Sequence, residues 1–394
     1  MMLLNAKMCL FTFLCGLSCF GMAEPNNKYP FFPHSKADEL RIRKMVDDIN
    51  AATLPWKAEY NAHASLKGGK MGQVPIEDTL ANLKLDGLDL FTSIGQQIVG
   101  DTEAHLTTLA RANISVPESF DAREKWPLCA SIRYIQNQGG CGSCWAAATV
   151  SVLSDRLCIS SDAKEQLTIS LQDLVSCCEY CGNCGGSWST SSAFLYWKDH
   201  GIVTGGSFGS NEGCKPYEVA ATCGTPCPKY FYTQKYFQQC KKTCSENYGN
   251  TYENDLKRGK SFYWLKIDER YRYYEAVYGK VVSEMDRVSA AFSLSSTDFI
   301  KREIMTNGPV VVCTKVSEPF AHYRSGIFTS TFDSRGNENL SYGHCMRLIG
   351  WGKEKGEEFW TVANSWGTEW GENGFGRISM NYYPDILSVV GGLW

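Results

Sequence analysis

The chain has 394 residues, of which 43% are hydrophobic and 21% charged, with a formal net charge of −3. It is long enough to bury a sizeable core, and so small a charge gives no reason to invoke nucleic acid or an anionic membrane as a partner. No heptad, low-complexity tract or repeat of fixed period runs through it.

Lys7 precedes an almost wholly apolar run from Met8 to Phe20, and Gly21-Met22-Ala23 stand before Glu24-Pro25. A positive charge, a short apolar run and small residues predict a signal peptide over 1–23, cleaved after Ala23. The run is shorter than the ~20 residues a spanning helix needs, so no membrane association is expected after cleavage. Three of the 18 cysteines, Cys9, Cys15 and Cys19, leave with it, and the rest lie after position 128. They would enter an oxidising compartment where disulfides persist, which points to the secretory route and a lysosomal or extracellular destination.

Residues 24–115 hold no cysteine, as a removable pro-segment ahead of a disulfide-stapled body would. Within it Ala37 to Ile42, then Met45-Val46 and Ile49, form an apolar stripe at helical spacing behind acidic Asp38 and Glu39. Gly68-Gly69-Lys70, Gly72 and Gly87 break the leader into pieces too small to fold alone. From Val116 the texture changes. Cys144 to Leu157 predicts an Ala-rich helix, and Ser191 to His200 another, ended by Gly201. Strands are predicted over Pro309–Cys313, Gly326–Phe328, Cys345–Trp351 and Glu358–Ala363. A helical half followed by an antiparallel β half implies a two-lobed α+β enzyme with its site in the cleft.

The strongest chemical signal is Gln138-Gly139-Gly140-Cys141-Gly142-Ser143-Cys144-Trp145. Cys144 would open the long helix, whose positive end lowers a thiol pKa toward thiolate. Gln138, six residues earlier, offers an amide to an oxygen that becomes negative in acyl transfer. Of the six histidines, His34, His63 and His105 lie in the leader, and His200 and His322 have no supporting context. His344, in Tyr342-Gly343-His344-Cys345, opens an apolar strand that would hold an imidazole rigidly. Asn364, in Asn364-Ser365-Trp366-Gly367, would fix its tautomer while Trp366 screens that bond from water.

From about Ser35 onward the chain resembles the cathepsin B-like peptidases of the papain family. The resemblance is carried by Val116 to Arg123, Ser170 to Cys178, Asn307-Gly308-Pro309, Leu348 to Gly352 and Asn364 to Gly371, and in the leader by Asp38-Glu39-Leu40 with Trp56. It implies a papain-like fold with a helical left lobe (about 130–255) and an antiparallel β-barrel right lobe (about 256–380). It implies a triad of Cys144, His344 and Asn364, and an oxyanion hole of Gln138 with the Cys144 amide. Glycines 185 and 186, with Cys313, Cys345, Trp366 and Ser388, would bind substrate. Expected partners are protein or peptide substrates, the monomer's own propeptide as inhibitor, and cystatin-type inhibitors; no cofactor or metal is implied. The implied disulfides are Cys129–Cys158, Cys141–Cys184, Cys177–Cys240, Cys178–Cys181, Cys214–Cys244 and Cys223–Cys227. A zinc site at Cys177-Cys178, Cys181 and Cys184 is the weaker reading in an oxidising compartment. Sequons stand at Asn113 and Asn339.

The chain also departs from its family. Only Gly224-Thr225-Pro226 separate Cys223 from Cys227, where cathepsin B carries an occluding loop with two histidines; endopeptidase action is therefore expected to dominate over dipeptide release. Ser388 stands where a glutamate forms the floor of the pocket for the substrate's second residue. Cys313 and Cys345 replace two alanines in its walls and are read as buried free thiols, with a bond if their Cα atoms fall within about 7 Å. Residues 266–293 look like an insertion. An active endopeptidase made as an inactive precursor is the leading reading; the alternative is a catalytically silent homologue acting as a binding protein.

Overall fold

A computed structural model describes residues 35–62, 64, 93–187, 190–221, 239–267, 277–329, 342–381 and 386–394. The expected signal peptide, the Cys223–Cys227 pair and Asn339 lie outside these residues.

Helix α1 (Lys36–Ala51) begins where Ser35 Oγ accepts from the Asp38 N–H, a side-chain cap on an otherwise orphaned donor. Its buried Ile42, Val46 and Ile49 follow the helical spacing of one face. Strand β1 (Trp56–Ala58) comes next. Helix α2 (Ser93–Arg111), which the glycine pattern does not foretell, completes the leader. After β2 (Phe120–Asp121) and the short α3 (Ala122–Lys125) comes α4 (Cys144–Ser160), buried along most of its length. Helix α5 (Leu171–Cys177), the hairpin β3 (Gly182–Asn183) and β4 (Gly186–Ser187), α6 (Thr190–Asp199) and α7 (Tyr252–Asp255) finish the helical half.

The second half contains β5 (Ser261–Ile267), α8 (Val277–Phe292), α9 (Ser296–Asn307), β6 (Val310–Val316), α10 (Glu318–Ala321), β7 (Tyr323–Phe328), β8 (Tyr342–Glu354), β9 (Glu357–Ala363), β10 (Phe375–Ser379) and β11 (Ile386–Leu393). The sheet runs β1-β7-β10-β9-β8-β6-β11-β5, with β2 on β8. It carries strand structure to Leu393, past the expected limit near 380. The pairing is antiparallel, as expected of this half, except that β7 and β10 run parallel. The leader's β1 adds itself to the edge at β7. The stretch 266–293, expected as an insertion, contains the end of β5 and α8; its residues 268–276 lie outside the described part.

Two consecutive residues of α4 bind the halves together. Asp155 pairs with Arg347 of β8 at 2.7 Å, and Arg347 also donates to the carbonyls of Ser131, Ile132 and Tyr134. Arg156 pairs with Glu303 of α9 at 2.8 Å and donates to Pro309, Gly308 and Gly392 carbonyls and to Tyr263 Oη. All four charged groups are buried, so each depends on its partner.

The disulfides Cys129–Cys158, Cys141–Cys184, Cys177–Cys240, Cys178–Cys181 and Cys214–Cys244 are present. These bonds take up the cysteines of the weaker zinc reading. Cys313 and Cys345 are not free thiols but a further disulfide. The reason is register: β6 and β8 set Cys313 directly opposite Cys345, with Cα atoms 4.0 Å apart, within bonding reach.

Candidate active site

Cys144 is the first residue of α4 and the free thiol among the described cysteines. Its loop is held from three sides. Cys141 is bonded to Cys184, the Gly142 N–H donates to the Cys184 carbonyl at 2.8 Å, and Tyr217 Oη donates to the Gln138 carbonyl at 2.8 Å. Gly139 adopts φ +56°, and a Cβ there would lie 2.5 Å from the Ala220 carbonyl oxygen. Only glycine fits that turn.

Strand β8 brings His344 to this helix terminus. The backbone N–H of Cys345, the next residue, donates to Cys144 Sγ at 3.3 Å. On its other side His344 Nε2 lies 2.8 Å from Asn364 Oδ1. Trp366 stacks over the imidazole with ring centroids 4.6 Å apart, and all three residues are buried. An amide oxygen only accepts, so in this pairing Nε2 is the nitrogen that carries the proton.

Gln138 is fully buried, and both ends of its amide are fixed. Nε2 donates to the Cys141 carbonyl at 2.9 Å, and Oε1 accepts from Ser365 Oγ at 2.6 Å. An amide nitrogen has two N–H donors, so one remains after Cys141 is satisfied. Ser365 and Tyr217 are thus positioning residues that sequence reasoning gave no role. Ser365 stood inside a quoted motif, but no local spacing points Tyr217 at Gln138.

Burial pushes the Cys144 thiol up to about 12, although the N–H groups of Cys345, Trp145 and Cys144 itself pull it down. With the leader in place desolvation therefore outweighs the helix-terminus effect that sequence reasoning put first.

Five of the residues expected to bind substrate fall into two groups, and the sixth, Trp366, stacks on His344. Gly185 and Gly186 sit on the β3–β4 hairpin, beside the Cys141–Cys184 bond. Ser388, Cys313 and Cys345 form a row across β11, β6 and β8, since Ser388 is opposite Cys313 and Cys313 opposite Cys345. Thr190 Oγ1, at the start of α6, lies 2.9 Å from Cys313 Sγ and 3.6 Å from Cys345 Sγ. Thr190 is a member of this row that the sequence did not disclose. No cluster of His, Cys, Asp or Glu suited to a metal occurs among the described residues.

Residues 116–387 match the model of the papain family cysteine proteases. The chain belongs to that family. It is 35% identical to cathepsin B-like cysteine proteinase 6 of Caenorhabditis elegans, over 91% of this chain and 85% of that protein. It is 37% identical to cathepsin B-like cysteine proteinase 1 of Ostertagia ostertagi, over 72% and 74% respectively. Among solved structures it resembles procathepsin B S9 from Trypanosoma congolense, with a TM-score of 0.56, 26% identity, and 91% of this chain and 98% of that one covered. The ragweed cysteine protease Amb a 11 in its proform shares the fold, with a TM-score of 0.57 at 18% identity over 98% and 94%. The chain is accordingly a cathepsin B-like cysteine peptidase with a papain-like fold.

Proposed function

We propose that the chain is an endopeptidase made as an inactive precursor, with a signal peptide over 1–23, a pro-segment over 24–115 and a peptidase domain over 116–394. Cys144 is the nucleophile. His344 takes its proton, attack on the scissile carbonyl gives an acyl-enzyme, and His344 returns the proton to the leaving amine. Asn364 holds the imidazole tautomer, and Gln138 Nε2 with the Cys144 N–H stabilises the oxyanion. The observation that carries this reading is the contact of Cys144 Sγ with the amide next to His344, whose ring is held by Asn364. Cys144, His344 and Asn364, from three separate stretches of chain, meet in one buried constellation.

The pocket for the substrate's second residue is read as the row Ser388, Cys313, Cys345 with Thr190. It offers no carboxylate, so an arginine there would be left without a counter-charge, and apolar side chains are preferred. The short interval between Cys223 and Cys227 cannot supply an occluding loop's histidines, which supports endopeptidase action. Asn113, which is exposed, is a glycan acceptor, as is Asn339. The enzyme follows the secretory route to a lysosomal or extracellular destination, where protein substrates and cystatin-type inhibitors are its partners.

An irreversible thiol-directed peptide inhibitor, applied after leader removal, tests the reading. It should label Cys144 in the wild type and nothing in Cys144→Ala. An unlabelled wild-type protein, or residual turnover in Cys144→Ala above background, would overturn it in favour of a silent homologue.

A further inference from the structure

The leader attaches to the body at two places, and the two differ in kind. Residues 36–58 add α1 and β1 to the sheet edge at β7, where an edge strand can leave without opening the sheet. Helix α2 packs instead against α8, β5 and α9. Its Ile98 and Val99 join the apolar cluster that contains Cys144, while Leu106 and Leu109 join the cluster behind the sheet. The helix therefore spans the seam between the two cores, and Leu106 is 0% exposed.

Its polar contacts reach the ligature that joins the halves. His105 lies flat on Tyr263, with ring centroids 3.4 Å apart, and its Nε2 is 2.7 Å from Glu303 Oε2. Glu303 is the same fully buried carboxylate that pairs with Arg156 and accepts from Tyr263 Oη and Asn307 Nδ2. Arg302 Nη1 donates to the carbonyls of Leu109 and Ala112, Lys198 Nζ donates to Gln97 Oε1, and Arg287 of α8 pairs with Glu103. Withdrawing α2 would uncover Tyr263, take one partner from a buried carboxylate and bare the face of α8 formed by Val281, Val282 and Val288. The insertion that supplies α8 has its packing partner in this leader helix.

We infer that helix α2 is not discarded with the rest of the leader but stays bound in the active enzyme as a small, non-covalently held subunit of the body. Retention presupposes the precursor organisation proposed above, with a cut between Arg111 and Val116. That stretch allows it: Asn113 and Ser115 are exposed, and cleavage there leaves the contacts of 97–112 intact.

The precursor should be processed by an added aspartic protease, so that the outcome does not depend on its own activity, and then purified at its native size. Mass spectrometry under denaturing conditions should find a peptide containing 93–111 in equal amount with the body. Its absence from a folded body beginning at 112 or later would overturn the inference. A second measurement uses His105→Ala. If α2 leaves, processed wild-type and variant proteins are chemically identical and must melt together. If it stays, the processed variant should melt about 3 °C or more lower, given loss of a buried hydrogen bond to a charged group. Coincident melting after processing would refute retention. Inhibitor labelling of Cys144 on the same samples reports separately on the peptidase reading, so the two can fail independently.

Discussion

Ser365 shows how narrowly the site is held. Its hydroxyl donates to Gln138 Oε1 while Gln138 Nε2 donates to Cys141, so one amide orientation is selected and its remaining N–H is aimed. Removing an oxyanion donor outright costs about a hundredfold or more in kcat; releasing its orientation costs less. Ser365→Ala should therefore lower kcat by roughly tenfold with KM little changed, as steady-state kinetics would show. Unchanged kcat would mean that Gln138 is positioned by its backbone alone. Cys144 gives a pH test of the same site. Burial holds its thiol at about 12 with the leader in place, so at pH 8 it is overwhelmingly the neutral thiol. Iodoacetamide should modify Cys144 of the intact precursor slowly at pH 8 and faster at every step toward pH 11. A rate that levels off near pH 7 would show a thiolate already formed in the precursor.

At the scale of elements, register decides what residue identity leaves open. Cys313 and Cys345 bond because β6 and β8 set them opposite each other, and the same register places Ser388 of β11 beside Cys313. A one-residue slip would have sent all of these side chains to the other face of the sheet. A cross-strand disulfide fills space that two alanines would leave open. The double variant Cys313→Ala with Cys345→Ala should accept bulkier aromatic side chains at the substrate's second position, while turnover of an Arg-Arg substrate should stay below that of a Phe-Arg substrate in both forms. A clear preference for Arg-Arg would place an acidic group in the pocket and remove Ser388 from its floor.

For the whole molecule, the helix that starts at Cys144 is tied by Asp155–Arg347 to the strand that carries His344 and by Arg156–Glu303 to helix α9. Burial alone would push the Glu303 carboxyl up; Arg156 and His105 outweigh it and hold it well below the usual carboxylate range. A depressed carboxyl contributes stability in full above its unfolded value and loses it only as pH falls through the ordinary carboxylate range toward the folded value. The joint therefore persists at pH 5, where a lysosomal enzyme would work. Glu303→Ala leaves Arg156 buried without its counter-charge and should cost about 3–5 kcal/mol, read by denaturant unfolding at neutral pH. A loss below about 1 kcal/mol would show that the carbonyls of Gly308, Pro309 and Gly392 suffice for Arg156.

Some of this was determined by the sequence alone. Gln138 to Trp145 and Asn364 to Trp366 are local strings in which residue type and spacing carry the chemistry, and the stripe Ile42, Val46, Ile49 marks α1 because helical period is a property of adjacent residues. Other features rest on contacts between residues far apart in the chain, which no local pattern encodes. Helix α2 contains Gly95 and Gly100 and lacks a legible start, so propensity argues against it; burial against β5, α8 and α9 overrides that. The Cys313–Cys345 bond waited on strand register, the thiol pKa on desolvation, and the contacts of Tyr217 and Thr190 on a loop and a helix start that pack back against the site. The sequence by itself determined which groups are the candidates for the chemistry proposed above. Only the tertiary structure decided how they are held, because burial, register and helix docking depend on what the rest of the chain places beside them.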